Sequence, residues 1–344
     1  MLIRLVLTLI FMMLAAAALP ASAQAASFDC SKAATPFEKA ICADPELSAQ
    51  DQVLSVAYKT AVGGLSQAAA DQMLAGQRSW LKSNDLVCSD AMLPGDKEAA
   101  DPGADVAQTE RIACLKTAYQ DRIKVLENSR MLGGLRFFNI DKYQAAPDPE
   151  GESYYKVSNN STSLTHIDGQ DAMAKAFNGF ADKAVAEGTS DEIETSSDYT
   201  YGVAVKAVTA NRIDLEVDTY WYGHGAAHGE YTVTYRHFLK DDQRGLEASD
   251  IFKGKDWVKH LAAIVLKQLK TEQGDALFDI DEDELEKSVA DPSDWDLSPD
   301  GLKMQFQPYE VASYADGAVT TLVKWDALKD DLADTADALV RYDY

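Results

Sequence analysis

The stretch Tyr220-Trp-Tyr-Gly-His-Gly-Ala-Ala-His-Gly-Glu230 sets His224 and His228 four residues apart among glycines and aromatics. On a helix that spacing would put both imidazoles on one face, as in zinc-binding H-E-x-x-H segments. Here Gly223, Gly225 and Gly229 interrupt the span, and alternating segments flank it: Ile213, Leu215 and Val217 before, Tyr231, Val233 and Tyr235 after. Glycines that tolerate positive φ between two alternating runs suit a long hairpin connection. The stretch is therefore read as a hairpin tip. Metal ligation and acid–base catalysis are the alternatives; a metal would need a third ligand, with His237 or Glu230 as the candidates, and the spacing places neither.

Working outward, residues 202–208 alternate as well, and Asp214, Glu216 and Asp218 are expected on a solvated strand face. Trp257, Leu261, Ile264, Val265 and Leu269 recur with a helical period after Asp256, and late strands are expected at 302–306 and 320–325. Residues 275–286 are rich in acids, but the central glycine and final glutamate of a calcium loop are out of place, so a solvated acidic helix or loop is expected. This half reads as an α+β domain: an antiparallel sheet with packed helices, over 152–344. Gly133-Gly134 and the Pro147/Pro149 segment predict a linker over 131–151.

Upstream the period is helical. Thr35-Pro36-Phe37-Glu38 has the form of a capping box with proline at the first helical position. Asp44-Pro45-Glu46 starts a second helix that Gly63-Gly64 ends. A third is expected over 67–84 with Met73, Gln77, Trp80 and Leu81, then a loop over 91–104, and a fourth over 106–126. Residues 26–130 thus form a small all-helical domain with no histidine. All four cysteines, Cys30, Cys42, Cys88 and Cys114, fall within it; the even count suggests two disulfides, and the sequence alone allows three pairings. Residues 1–25 carry Arg4, a short apolar run and a small-residue exit, the pattern of a cleaved signal peptide that leads to the periplasm or outside.

The chain has a formal charge of −24, with 32 basic and 56 acidic side chains. Nearly all the excess lies after residue 130, a surface that repels nucleic acid and anionic membranes and attracts cations. There is no G-x-S-x-G, no phosphate-binding loop and no dinucleotide fingerprint; no cofactor and no catalytic residue is assigned. Tyr199, Tyr201, Tyr220, Trp221 and Tyr222 could stack sugars, although alternating strand aromatics more often build core. The Asn159 and Asn160 sequons carry little weight in an exported protein of bacterial character.

Two resemblances add to this. Phe28-Asp29-Cys30, Glu38-Lys39-Ala40-Ile41-Cys42, Pro45-Glu46-Leu47, Gln77-Arg78-Ser79-Trp80-Leu81, Tyr119 and Arg122-Ile123 resemble LprI-type lysozyme inhibitors over about 27–126. That resemblance implies an exported helical domain, lysozyme binding in some members, and two disulfides, taken as Cys30–Cys42 and Cys88–Cys114. Gly225-Ala226-Ala227-His228-Gly229 looks like the G-G-A-H-G signature of an extracytoplasmic domain. It occurs in lysozyme-sensing RsiV-like anti-sigma factors and beside the catalytic part of PdaC-like deacetylases. Asp250-Ile251-Phe252, Leu297-Ser298-Pro299-Asp300-Gly301, Phe306-Gln307-Pro308-Tyr309-Glu310 and Tyr314-Ala315-Asp316-Gly317 extend the match. His224 departs from it, standing where glycine is usual, and no deacetylase domain is expected before Tyr344.

Together these imply a binding protein for a basic lysozyme-like partner, with steric inhibition and no enzyme activity. Binding of peptidoglycan, or metal-dependent hydrolysis through His224 and His228, are the competing readings. Tyr222, His224, His228, Tyr309, Tyr314 and Asp316 are the candidate contact residues.

Overall fold

The computed structural model describes residues 26–89, 104–148, 156–188 and 194–340. The expected signal peptide and nearly all of the 91–104 loop lie outside them. A 3-10 turn, Cys30–Lys32, leads into α1 (Pro36–Ala43), α2 (Pro45–Val62), α3 (Gln67–Val87) and α4 (Ala104–Glu127). The capping box is present: the Glu38 N–H donates to Thr35 Oγ1 at 3.1 Å, and the Glu38 carboxylate accepts the Thr35 N–H at 2.9 Å. Asp44 and Ser66 cap the next two helices. Leu47, Leu54, Met73, Trp80, Leu115 and Tyr119 are buried together as their core. Leu81, carried on α3 with Trp80, is exposed. The disulfides are Cys30–Cys42 and Cys88–Cys114. The first holds the N-terminal turn on α1, and the second ties the end of α3 to α4.

The remainder is α+β. A seven-stranded sheet runs in sequence order: β1 (Met131–Leu132), β2 (Leu135–Pro147), β3 (Val157–Ile167), β4 (Ser197–Val208), β5 (Arg212–Gly223), β6 (Glu230–Leu239) and β7 (Arg244–Gly245). Neighbours are antiparallel except β3 and β4, a parallel pair joined by helix α5 (Ala172–Gly188), so the sheet is mixed. After the short α6 (Ala248–Ile251) come α7 (Trp257–Glu272, with Asp256 at the N-cap position) and α8 (Glu282–Ala290). A second sheet of β8 (Trp295–Ser298), β9 (Gly301–Phe306) and β10 (Val319–Val323) packs with them around Trp295, Leu261, Val265 and Phe306. Helices α9 (Trp325–Leu328) and α10 (Ala336–Val340) complete the described chain.

Two expectations need correction. Over residues 131–147 the expected linker is instead β1 and β2, with Gly133 and Gly134 at positive φ between them and β2 paired to β3 from Phe137 to Pro147. Phe137 enters the core under α5, while Phe138 enters the helical core, so β2 belongs to both halves. The halves meet through a polar joint. The Arg122 guanidinium of α4 donates to Asp141 of β2 and to the Tyr143 hydroxyl, and its Nε donates to Gln77. Arg122 and Asp141 both have 0% side-chain exposure. Tyr143 is pushed up to about 12, first by burial and then by the Asp141 charge, and stays neutral.

The second correction concerns Asp214, expected on a solvated face. It is buried between Arg212 Nε and His237 Nδ1, each 2.7 Å from its Oδ1. Burial opposes its ionisation, but those two partners prevail and hold the carboxyl below the ordinary range. The other ring nitrogen of His237 donates to the Trp295 carbonyl at 2.8 Å, clamping the large sheet to the small one. His237 is thus a structural bolt, not a third metal ligand. A buried charge survives there because Arg212 and His237 both bond the same carboxylate oxygen.

Candidate functional site

The β5–β6 register pairs Trp221 with Glu230, so residues 222–229 cap the hairpin. That agrees with the reading of the sequence, and it sends the two histidines to different neighbours. His224 turns to the adjoining strand ends. Its Nδ1 lies 2.8 Å from Asp148 Oδ2 after β2, and its Nε2 lies 3.3 Å from Asp198 Oδ1 on β4. Each ring nitrogen of His224 thus has a carboxylate neighbour. Among the described residues no group of three or more His, Cys, Asp or Glu side chains is arranged to hold a metal.

His228 faces the other way. The loop between β9 and β10 rises beside the hairpin, and the His228 ring stacks on Tyr314 with centroids 4.0 Å apart and planes at 22°. Its Nδ1–H donates to the Gly229 carbonyl at 3.0 Å, since a carbonyl can only accept. In the neutral ring Nε2 then accepts from the Tyr309 hydroxyl at 3.3 Å. The Tyr314 hydroxyl donates to the same Gly229 carbonyl at 2.6 Å. Tyr231 closes the group edge-on to Tyr314 at 6.1 Å, its hydroxyl accepting the Ala318 N–H.

Two glycines and one strained residue make this packing possible. A Cβ at Gly229 would sit 2.5 Å from the Tyr220 ring carbons, so only glycine lets that ring lie flat on the turn. Gly317 turns the opposing loop with φ +74°. Tyr309 itself has φ +71°, a conformation that costs a bulky residue on the order of 1–3 kcal/mol. It nevertheless holds its ring outward, 55% exposed.

Of the six candidate contact residues, the structure brings His228, Tyr309 and Tyr314 into one cluster. Asp316 is close in the same loop, exposed and accepting from Ser313 Oγ. Tyr222 bonds back to the Ala226 carbonyl of its own turn. His224 is a clamp, its side chain only 6% exposed. Sequence reading gave Tyr220 and Trp221 only as sugar-stacking candidates and Tyr231 only as a strand residue; Tyr220 and Trp221 are exposed, and Trp221 Nε1 reaches Glu194 at 3.5 Å. Their signal was alternation, which for Tyr201 means core and for Tyr220 and Trp221 means surface. A separate exposed apolar group, Val53, Val56, Leu74 and Leu81, lies on α2 and α3.

Residues 30–126 match the family model of the lysozyme inhibitor LprI, and residues 249–326 match the model of a family of unknown function, DUF3298. Among solved structures, a DUF3298 family member from Bacteroides fragilis NCTC 9343 is 17% identical, with TM-score 0.46, over 61% of this chain and 98% of its own. A DUF3298 family protein from Pseudomonas aeruginosa PAO1 is 12% identical, with TM-score 0.43, over the same shares. No curated protein matches. The chain therefore joins a segment similar to LprI to one similar to DUF3298, neither of them a family of known enzymes. The aromatic cluster crosses the edge of the second match: Tyr309 and Tyr314 fall inside it, Tyr220 and His228 before it.

Proposed function

We propose that this chain is an exported protein that binds a basic, lysozyme-like muramidase and inhibits it by covering its cleft. The observation that carries the reading is the match of residues 30–126 to the lysozyme inhibitor model. Two disulfides fit an oxidising compartment, and no helix among the described residues is long and apolar enough to cross a membrane. The excess of carboxylates supports fast, steered encounter with a basic partner, while a few aromatic anchors set affinity. Inhibition of this kind needs no covalent chemistry: a rigid projection that excludes the glycan suffices.

Titration calorimetry of the mature chain against a basic animal-type lysozyme, run beside a turbidity assay of wall lysis, tests the proposal. Binding with loss of lysis is the expected result. Binding with lysis intact would reduce the role to sensing or sequestration, and no binding would overturn it. Val56→Asp and Tyr309→Ala then report which half makes the contact. The exposed rings of Tyr220, Trp221 and Tyr309 favour one second reading, a hold on peptidoglycan glycan, which pulldown on purified sacculi would reveal.

A further inference from the structure

The cluster at the hairpin end has a chemistry of its own. The two segments that build it, residues 213–235 and 305–323, contain six carboxylates and no Lys or Arg. Three of those carboxylates, Glu230, Glu310 and Asp316, are exposed. Glu310 accepts from Ser288 Oγ and the Gln307 N–H, and Asp316 from Ser313 Oγ, while the Glu230 charge acts on Tyr314. Beside Glu230 stands a layered set of electron-rich rings: Tyr309 is 5.6 Å from Tyr314 and 6.3 Å from His228, both at 34°, and Tyr314 stacks on His228. The rings are fixed from behind by backbone groups. Tyr314 and His228 both bind the Gly229 carbonyl, and the Tyr309 hydroxyl is directed at His228 rather than at solvent. The outer face of Tyr309 is left open, held there by a backbone in the left-handed region. Burial, then the fields of Tyr231, Tyr220, Tyr309 and Glu230, push the Tyr314 hydroxyl up, so the rings stay neutral and their faces keep their negative quadrupole.

From this arrangement we infer that the shelf of Tyr309, Tyr314 and Tyr220, with Glu230 as its rim and Glu310 and Asp316 on the loop that carries it, is a receptor for a cationic side chain, an arginine guanidinium presented by a basic protein. A guanidinium over a tyrosine face within about 6 Å is attracted by the ring, and adjoining carboxylates add charge-assisted hydrogen bonds. A planar cation also stacks, which a compact ammonium does less well. A neutral sugar would stack on the rings and donate hydroxyls to the rim, but without the charge attraction a cation gains from both. An anion is excluded by the rim.

The inference rests on the proposed muramidase binding only for the identity of the partner; the recognition chemistry stands on the shelf itself. The preorganisation has a structural reason: Tyr314 and His228 are already tied to the Gly229 carbonyl before a cation lands. Tyr309 supplies the open face, and its hydrogen bond to His228 fixes the ring plane.

The test uses the full mature chain and three probes. N-acetyl-arginine amide and N-acetyl-lysine amide are titrated while the aromatic proton resonances are followed by NMR, and an N-acetylglucosamine trimer is the competing ligand class. Saturable shifts of the Tyr309, Tyr314 and His228 rings with the arginine probe, weaker with lysine and absent with the sugar, are expected. Tyr309→Ala should weaken the arginine response roughly tenfold, and Tyr309→Phe, which keeps the face but loses the bond to His228, should weaken it by clearly less. An unchanged circular dichroism spectrum for Tyr309→Ala establishes that the fold is intact; the native chain alone decides the matter if it is not. Shifts with the sugar instead of arginine would overturn the inference, as would no response of these rings to any probe. If a lysozyme binds while the shelf ignores arginine, this inference fails and the muramidase reading stands. If arginine binds and no lysozyme does, the reverse holds.

Discussion

The joint between α4 and β2 and the shelf at the hairpin end are both assemblies of polar and aromatic groups on one sheet, and they differ in what their last face meets. In the joint, Arg122 and Asp141 are fully enclosed, with Gln77, Tyr143 and Ser163 taking further bonds. At the hairpin end the rings are equally well fixed from behind, but Tyr309 and its carboxylate rim face water. Sealed polar groups fix how two parts of a protein sit together, because breaking them leaves a buried charge unpaired. Fixed groups with an open face are left with unspent interactions, which is what a binding surface needs.

The largest effect should come from opening the sealed side. Asp141→Ala strands the Arg122 guanidinium, and a loss of about 3–5 kcal/mol is expected in denaturant unfolding. Replacing both partners, Arg122→Met with Asp141→Leu, should cost much less. A single variant that loses under about 1 kcal/mol would mean the joint is hydrated, and the contrast with the shelf would collapse. Next comes the staple. Cys88→Ser with Cys114→Ser releases a link spanning 26 residues, worth about 2–4 kcal/mol. Because the shelf lies far along the chain in the other half, arginine binding should survive this change in protein that remains folded.

The two histidines divide in the same way on a smaller scale. His224→Ala removes the donor between Asp148 and Asp198, and about 1–3 kcal/mol of stability should go with it. His228→Ala should cost less than about 1 kcal/mol, since the ring is partly exposed, yet it should loosen Tyr309 and weaken binding. Equal costs from the two would show that the clamp and the shelf are not separate. Tyr309→Gly reverses the sign: relief of the left-handed backbone should stabilise the fold by roughly 1 kcal/mol while abolishing the arginine response.

How much of this the sequence exposed follows from where apolar contrast exists. The capping box at Thr35, the helices behind it and the β5–β6 hairpin were legible because each shows a period or a cap in local order. Strand β3 was not: Ser158, Asn159, Asn160, Ser161, Thr162 and Ser163 carry no hydrophobic alternation. They form a strand because the face that should be apolar is met by polar partners, as where Ser163 bonds Asp141 and Ser83 bonds Asn159 across the joint. β2 was hidden by the glycine pair before it and by Pro147 at its end, and by feeding two cores at once. At the site, His228 and the loop residues 309–316 were named from the resemblance. Their stacking was invisible, because it depends on a loop some 80 residues away folding beside the hairpin. The spacing of His224 and His228 suggested partnership, and the turn between them sends them to opposite neighbours.

The smallest effect lies where the two regimes touch. Asp294, just before β8, is half-buried, and burial pushes its carboxyl up to about 7, helped by Glu310 and Asp291 and opposed by Arg236 and Gln307. Glu310 follows Tyr309 directly, and Gln307 bonds both backbone groups of Val233 on β6, so the proton on Asp294 bears on the loop that carries the shelf. The unfolded carboxyl titrates near 4, so between about pH 4 and 7 the folded chain holds the extra proton. This contribution to stability is present below about pH 4 and is lost as pH rises to about 7, with no further change above. Asp294→Asn should remove that slope and raise the melting temperature at pH 8, by a small amount because the group remains partly solvated. Thermal melts of both forms from pH 4 to 8 would measure it. If the variant shifts the melt equally at every pH, the Asp294 proton is not coupled to folding, and the loop under Tyr309 is set by Gln307 and the strained backbone alone.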